Sequence, residues 1–228
     1  MKYRWLVIGG WSISPDILIP LFGRKSVYID INDYFQNIVA GETLDEKWPE
    51  KIIHSLSNFI YDTDIAIAGW SSGAFAAYTL AGIIKPKRLA LLSAALSFCK
   101  RKNHIYGQEQ SVLKVMRRQL KRDNIAVLKG FQKQCGLNEY CDKSEKYSIE
   151  NLNAGLVFLE HVDLSSYPIP LCPINIFHGK EDEIIPCNSG ELMSKKTGSE
   201  FYALPGGHVF FNIKENHDFI KNKLKNFG

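Results

Sequence analysis

The sequence predicts an α/β fold on a mostly parallel sheet of about six strands, and three observations carry that expectation. Short apolar runs rich in β-branched residues alternate with segments of helical spacing, as strands do when helices cover both faces of a parallel sheet. The alternation is broken once, over residues 97–166, by a charged, strand-poor stretch that reads as a helical lid inserted between strands. One strand-to-helix joint is Gly69-Trp70-Ser71-Ser72-Gly73, a turn whose residue types suggest chemistry. At 228 residues the chain suits one domain, 1–228, with 97–166 as the lid.

In chain order, residues 3–8 read as a first strand, and Gly9-Gly10-Trp11-Ser12 as the loop leaving it. Residues 15–22 suit a helix, with Ser14 as N-cap and Pro15 at the first helical position. A second strand falls at 26–31, and helical spacing at Ile52, Ile53, Leu56, Phe59 and Ile60 predicts a helix over 48–60. Residues 65–68 form the strand into the Gly/Ser turn, 74–81 a helix of small residues, and 88–93 a further strand. After the insertion the alternation resumes with strands at 173–177 and 200–204 and helices at about 189–197 and 213–226.

Composition is globular, 45% hydrophobic and 23% charged, without low-complexity tracts. The apolar runs at 5–8 and 90–96 are far below membrane-spanning length, so no membrane association is expected. The strand pattern begins at once, from which no signal peptide is expected. Cys99, Cys135, Cys141, Cys172 and Cys187 are odd in number and lack metal spacing, so they read as reduced, structural thiols of a cytoplasmic protein. No obligate oligomer is evident. The net charge of +4 is modest, so its distribution matters more than its sum.

Gly69-Trp70-Ser71-Ser72-Gly73 fits the G-x-S-x-G pattern of a nucleophile turn. Glycines are needed where strand and helix approach too closely for a Cβ, and the serine between them is held at a strained φ/ψ. That geometry lifts the Ser71 hydroxyl above the sheet edge, at the N-terminus of the next helix. A bland Gly/Ser turn would show the same five residues, so the flanking strand and helix carry the assignment. A serine nucleophile needs a base, and the base an orienting carboxylate. Two loops after the resumed strands supply candidates: Gly179-Lys180-Glu181-Asp182-Glu183-Ile184-Ile185-Pro186, and Pro205-Gly206-Gly207-His208. Both leave parallel strands at the sheet edge that carries Ser71, where ligand sites form in such sheets. His54, His104, His161, His178 and His217 lack such a setting and read as surface or packing residues.

Gly-x-x-Asp-x-x-Ile-Pro at 179–186, Gly-Gly-His at 206–208 and the order Ser, Asp, His resemble the α/β-hydrolase family. The resemblance implies Asp182 as acid and His208 as base beside the Ser71 nucleophile, with Glu181 and Glu183 as solvated rivals. It also implies an oxyanion hole from the backbone N–H groups of Ser72 and Trp11. Gly9-Gly10 stands where the family usually has His-Gly, and the family's first two strands have no counterpart, so a shortened sheet is expected. Such chemistry needs no cofactor and no metal. More narrowly, Gly10-Trp11, Gly69-Trp70-Ser71 and the stretches 127–134 and 152–164 resemble the esterases that demethylate pimeloyl-acyl carrier protein methyl ester in biotin synthesis. That implies an acyl carrier protein bearing this methyl ester as partner.

The insertion supports that substrate class on its own. Between Lys100 and Lys133 stand ten basic residues against two acidic ones. On a helix, Lys114, Arg117, Arg118, Lys121 and Arg122 share one face, with Leu113, Met116, Leu120 and Val127 on another. A basic stripe beside an acyl site suits an acidic carrier protein. A solvated charged face is the plain alternative, and no nucleic-acid motif is present. Trp70, Phe131 and Phe158 are candidate acyl-pocket walls, although core packing explains Phe158 as well. The sequence thus predicts a serine carboxylesterase. Its rivals are an esterase or thioesterase for another acyl substrate, or a catalytically silent binding module.

Overall fold

The computed structural model describes residues 4–59, 64–102, 104–137 and 146–225; Ile60 and Cys141, and the outer ends of the first predicted strand (Tyr3) and last predicted helix (Asn226), lie outside them. The strand β1 (Arg4–Ile8) enters the core at its second residue, and Leu6, Val7 and Ile8 are fully buried. The predicted helix over 15–22 is a 3₁₀ turn (Pro15–Leu18) running into the short α1 (Ile19–Phe22), with the Ser14 hydroxyl accepting from Asp16 N–H. Pro20 has no N–H to donate, which keeps this segment from forming one regular helix.

β2 (Val27–Ile29) is shorter than expected. Asp30 ends it by accepting the Asn32 N–H and starting a 3₁₀ turn. After α2 (Phe35–Ile38), β3 (Val39–Ala40) and β4 (Thr43–Leu44) pair as a small antiparallel hairpin that the sequence did not foretell. Two-residue strands are too short to show periodicity. α3 (Trp48–Leu56) follows, and its apolar spacing places Ile52 and Leu56 in the core.

β5 (Ile65–Trp70), α4 (Ser72–Ile84) and β6 (Arg88–Leu92) form the centre of the molecule. β7 (Ile174–Gly179), α8 (Cys187–Thr197), β8 (Glu200–Leu204) and α9 (Lys214–Lys225) complete the α/β part. The six-stranded sheet has the order β2-β1-β5-β6-β7-β8, and every pairing in it is parallel. Strand order reverses between β1 and β5, the place where parallel sheets open a crevice beyond their C-terminal ends. β5 and β6 are buried along their whole length, as strands covered on both faces must be.

Between β6 and β7 lie α5 (Gln110–Leu120), α6 (Asn124–Gln134) and α7 (Ile149–His161). The two ends of this insertion are tied together where Leu164 N–H donates to Leu96 O at 2.7 Å and Ser97 Oγ donates to Val162 O at 3.0 Å. Among the described residues no helix is long and apolar enough to cross a membrane.

Candidate active site

Ser71, Asp182 and His208 each leave the sheet at the C-terminal end of a different strand. Ser71 follows β5 with φ 57° and ψ −125°, a left-handed backbone that a residue with a Cβ adopts only under constraint. Its N–H is fixed to Leu92 O at 3.0 Å. The flanking glycines answer to close approach rather than to φ. A Cβ on Gly69 would lie 2.6 Å from Ala77 Cβ, and one on Gly73 would overlap the carbonyls of Ile8 and Gly9. Strand, helix and the loop after β1 are therefore pressed together around Ser71.

The His208 ring bridges the other two side chains: Nε2 lies 2.9 Å from Ser71 Oγ, and Nδ1 lies 3.0 and 2.9 Å from the Asp182 oxygens. A carboxylate only accepts, so Nδ1 carries the proton and donates to Asp182, while Nε2 accepts from the Ser71 hydroxyl. All three residues are buried, at 4%, 6% and 1% exposure for Ser71, Asp182 and His208. Glu181 and Glu183 flank Asp182 but point to solvent, and Glu181 is engaged by Gly206 N–H.

Asp182 is held from all sides. Besides His208, it accepts from Ile184 N–H (3.0 Å), Ile185 N–H (2.9 Å) and Ser93 Oγ (2.7 Å). His178 Nε2 stands 3.4 Å from the same carboxylate and is bonded to Ile185 O at 2.7 Å. Burial works to raise the Asp182 carboxyl, but the imidazoles of His208 and His178 outweigh it, and the group is held well below the usual carboxylate range. Sequence reasoning missed Ser93 and set His178 aside as ordinary packing. Ser93 did leave a trace: it is the first polar residue after an apolar strand, on the edge that carries the site; in the fold its φ is +46°.

The loop after β1 lies against the serine. A Cβ on Gly10 would come within 3.2 Å of the Trp70 ring and 3.3 Å of Ser71 Cβ. Trp11 follows, buried, with its indole N–H donated to Leu152 O at 2.9 Å. Ser72 opens α4, so its N–H is one of the helix-start donors that no intrahelical carbonyl can meet.

The aromatic candidates separate. Trp70 is fully buried, donates its indole N–H to His208 O at 3.1 Å and packs on the His208 ring, so it braces the histidine loop. Phe131 packs edge-on against Trp11 at 4.9 Å and also lines a groove of about 430 Å³ between α5 and α6. Phe158 sits among Phe35, Trp48 and Phe75 in the core.

The basic stripe needs a correction. Arg118, Lys121 and Arg122 are exposed as expected, but Arg117 turns inward. Its guanidinium contacts Asn153 Oδ1 at 3.1 Å, the buried Glu160 at 3.3 Å, and Glu42. Lys114 also lies 3.6 Å from Glu160. A buried carboxylate needs a cation, and α7 presents Glu160 to the face of α5 that the stripe occupies.

No protein-family model matches the sequence, and no curated protein does. Solved structures do resemble the fold. An esterase from Exiguobacterium antarcticum superposes with a TM-score of 0.74 at 19% identity, covering 99% of this chain and 92% of that one. A bromoperoxidase from Bacillus anthracis gives 0.72 at 15%, covering 98% and 91%. The RedJ thioesterase of the prodiginine pathway in Streptomyces coelicolor gives 0.65 at 19%, covering 98% and 89%. These likenesses, with the all-parallel sheet and the strand-to-helix turn at Ser71, establish that the chain has the α/β-hydrolase fold.

Proposed function

We propose that the chain is a serine carboxylesterase that hydrolyses the methyl ester of pimeloyl-acyl carrier protein. The observation that carries the hydrolase reading is the hydrogen-bonded line Ser71–His208–Asp182, buried on the sheet edge with Ser71 in a strained turn. In this reading Ser71 Oγ attacks the ester carbonyl and its proton passes to His208 Nε2. The backbone N–H groups of Trp11 and Ser72 hold the oxyanion. Asp182 keeps the ring in the tautomer that can accept, and stabilises the imidazolium. Collapse expels the alkoxide, which takes the proton from His208 and leaves as methanol. Water then attacks the acyl-enzyme, giving its proton to His208 on the way in, and the free carboxylic acid departs with Ser71 restored.

The lid supports the substrate part of this reading. Arg118, Lys121 and Arg122 stand exposed on α5 and at its end, a cationic face that suits an acidic carrier. The resemblance of the stretches 127–134 and 152–164 to the biotin-pathway esterases narrows the acyl group. A cytoplasmic setting fits the free thiols Cys99, Cys135, Cys172 and Cys187. The same catalytic line would serve a thioester or another small acyl ester, which one of the structural neighbours, a thioesterase by description, keeps in view.

The deciding experiment compares three substrates: the pimeloyl-carrier methyl ester, the free methyl ester and a carrier thioester. A clear preference for the first supports the whole reading, and preference for the thioester replaces it. Ser71→Ala should remove all three activities by more than about 10⁴-fold with an unchanged melting curve. Ser72→Ala should keep most activity, since only its backbone is used. Equal loss from both would overturn the nucleophile.

A further inference from the structure

We propose that Asn32 is a positioning residue that sets the loop bearing the Trp11 N–H, and that Asp30 and Tyr147 couple this setting to the lid helix α7. The inference rests on the esterase reading in taking that N–H as an oxyanion donor.

Asn32 is fully buried just after β2, far from Trp11 in sequence, yet its carboxamide grips the loop on both sides of Trp11. Its Oδ1 accepts from Ser12 N–H at 2.8 Å, and its Nδ2 donates to Gly10 O at 3.0 Å. The loop needs such a hold because Ser12 has φ 57°, a conformation that does not persist unsupported in a non-glycine residue. The orientation of the amide is itself fixed, since Nδ2 also donates to Asp30 Oδ1 at 2.7 Å. Turning the amide over would place oxygen against two acceptors and nitrogen against a donor.

The other oxygen of Asp30 belongs to the lid. Oδ2 accepts from Tyr147 Oη and from Lys146 Nζ at 2.8 Å, and both residues immediately precede α7. Tyr147 is buried; burial and its bond to Asp30 push the phenol upward, so it remains the donor. The same helix meets the loop again: Leu152 O receives the Trp11 indole, and Gly155 leaves room for that ring, since a Cβ there would lie 2.8 Å from Trp11 Nε1. When α7 is in place, Tyr147 holds Asp30, Asp30 holds Asn32, and Asn32 holds the backbone on either side of Trp11. α7, seated in the core through Leu152, Val157 and Phe158, thus supports the oxyanion loop at two points, so the setting of the Trp11 N–H depends on how this helix is packed.

Asn32→Ala and Tyr147→Phe test this with two readouts. On a short soluble ester, Asn32→Ala should lower kcat roughly tenfold to a hundredfold with KM changed by less than about threefold, because a misplaced donor acts on the transition state alone. Tyr147→Phe should lower kcat about threefold to tenfold, in the same direction. Affinity for a trifluoromethyl ketone, which forms the oxyanion, should fall in step with kcat, while affinity for the product acid stays. Hydrogen exchange at the Gly10, Trp11 and Ser12 amides should quicken in both variants, and this readout needs no catalysis. If the wild type hydrolyses no ester but exchange quickens, the esterase reading fails and the coupling stands. Unchanged exchange in Asn32→Ala, or a loss in KM without loss in kcat, would overturn the proposal. If Asn32→Ala does not fold, Tyr147→Phe decides alone, and wild-type exchange and kcat there overturn the coupling to α7.

Discussion

At the rim of the sheet, Asp182 collects donors from His208 and Ser93, reached from other strand ends, and from the Ile184 and Ile185 backbone of its own loop. On α5 of the insertion and at its end, Arg118, Lys121 and Arg122 stand in solvent, while Arg117 and Lys114 turn to a carboxylate of α7. The rim is a low-dielectric polar network in which each member fixes the next, so its geometry tolerates little change. The insertion presents charges that act at a distance and through salt-dependent fields. On the proposed esterase reading, chemistry and recognition would thereby be separated: the rim would hold one reaction while the insertion is free to choose a partner.

The largest test of that separation is at the rim. Asp182→Asn should lower kcat on the order of 10³- to 10⁴-fold, because the amide favours the wrong imidazole tautomer. Glu181→Gln and Glu183→Gln, a residue away and exposed, should stay within a few-fold. A severe Glu183→Gln beside a mild Asp182→Asn would move the acid. The same carboxylate carries a pH signature. Its folded pKa lies below the unfolded value, so its stabilisation is complete above that value and lost as pH falls below about 4. The gap in Tm between wild type and Asp182→Asn should therefore narrow on going from pH 7 to pH 3.5. A gap that widens would mean the carboxylate is not stabilised in the fold.

A second test uses backbone packing at the rim. Gly73→Ala would force a methyl group into the Ile8 and Gly9 carbonyls. The expected loss is about 3 kcal/mol, or roughly 6–12 °C in Tm. Thermal unfolding measures it, and a wild-type Tm would show that strand and helix can part there without penalty.

How much of this was legible follows the same division. Ser71 and its glycines are neighbours in sequence, and their turn chemistry is local, so the elbow could be read directly. Asp182 and His208 followed from motifs at the ends of readable strands. Ser93 left only its place at the end of an apolar strand, and Asn32 left nothing, because their roles arise from contacts between strand ends that only the folded sheet brings together; His178 stands four residues before Asp182, but only the folded loop turns the two toward each other. Arg117 was misplaced for a related reason. Helical spacing correctly put it on the stripe, but its partners Glu160 and Glu42 lie 43 and 75 residues away in sequence. The β3–β4 hairpin was missed because four paired residues carry no period.

For the insertion, the stripe without Arg117 makes a sharper experiment. Arg118→Glu with Lys121→Glu should lower kcat/KM on a carrier-linked ester roughly tenfold, since each reversal adds repulsion as well as removing attraction. It should leave a short soluble ester nearly unchanged, and the effect should shrink as salt rises past about 0.1 M. Equal loss on both substrates, without salt dependence, would mean that these side chains hold the lid in place. Arg117→Leu belongs to another class. It leaves the buried Glu160 with the half-exposed Lys114 at 3.6 Å as its cation, so it should lower stability and affect both substrates alike.

The smallest effect expected is also the direct counterpart of Gly73→Ala. Gly130 lies in α6, exposed, and a Cβ there would meet nothing within 4 Å. The same added methyl that is excluded at the rim is therefore welcome in the insertion. It removes backbone freedom from the unfolded chain and restores helix propensity, a gain of about 0.5–1 kcal/mol. That corresponds to roughly 1–4 °C in Tm for a chain of this size. Two Gly→Ala substitutions of opposite sign would place the rigid and the tolerant parts of the molecule by measurement. If Gly130→Ala instead destabilises, α6 is packed more closely in solution than its open face allows. The insertion would then share the constraint of the rim, and the division between reaction and recognition would lose its physical basis.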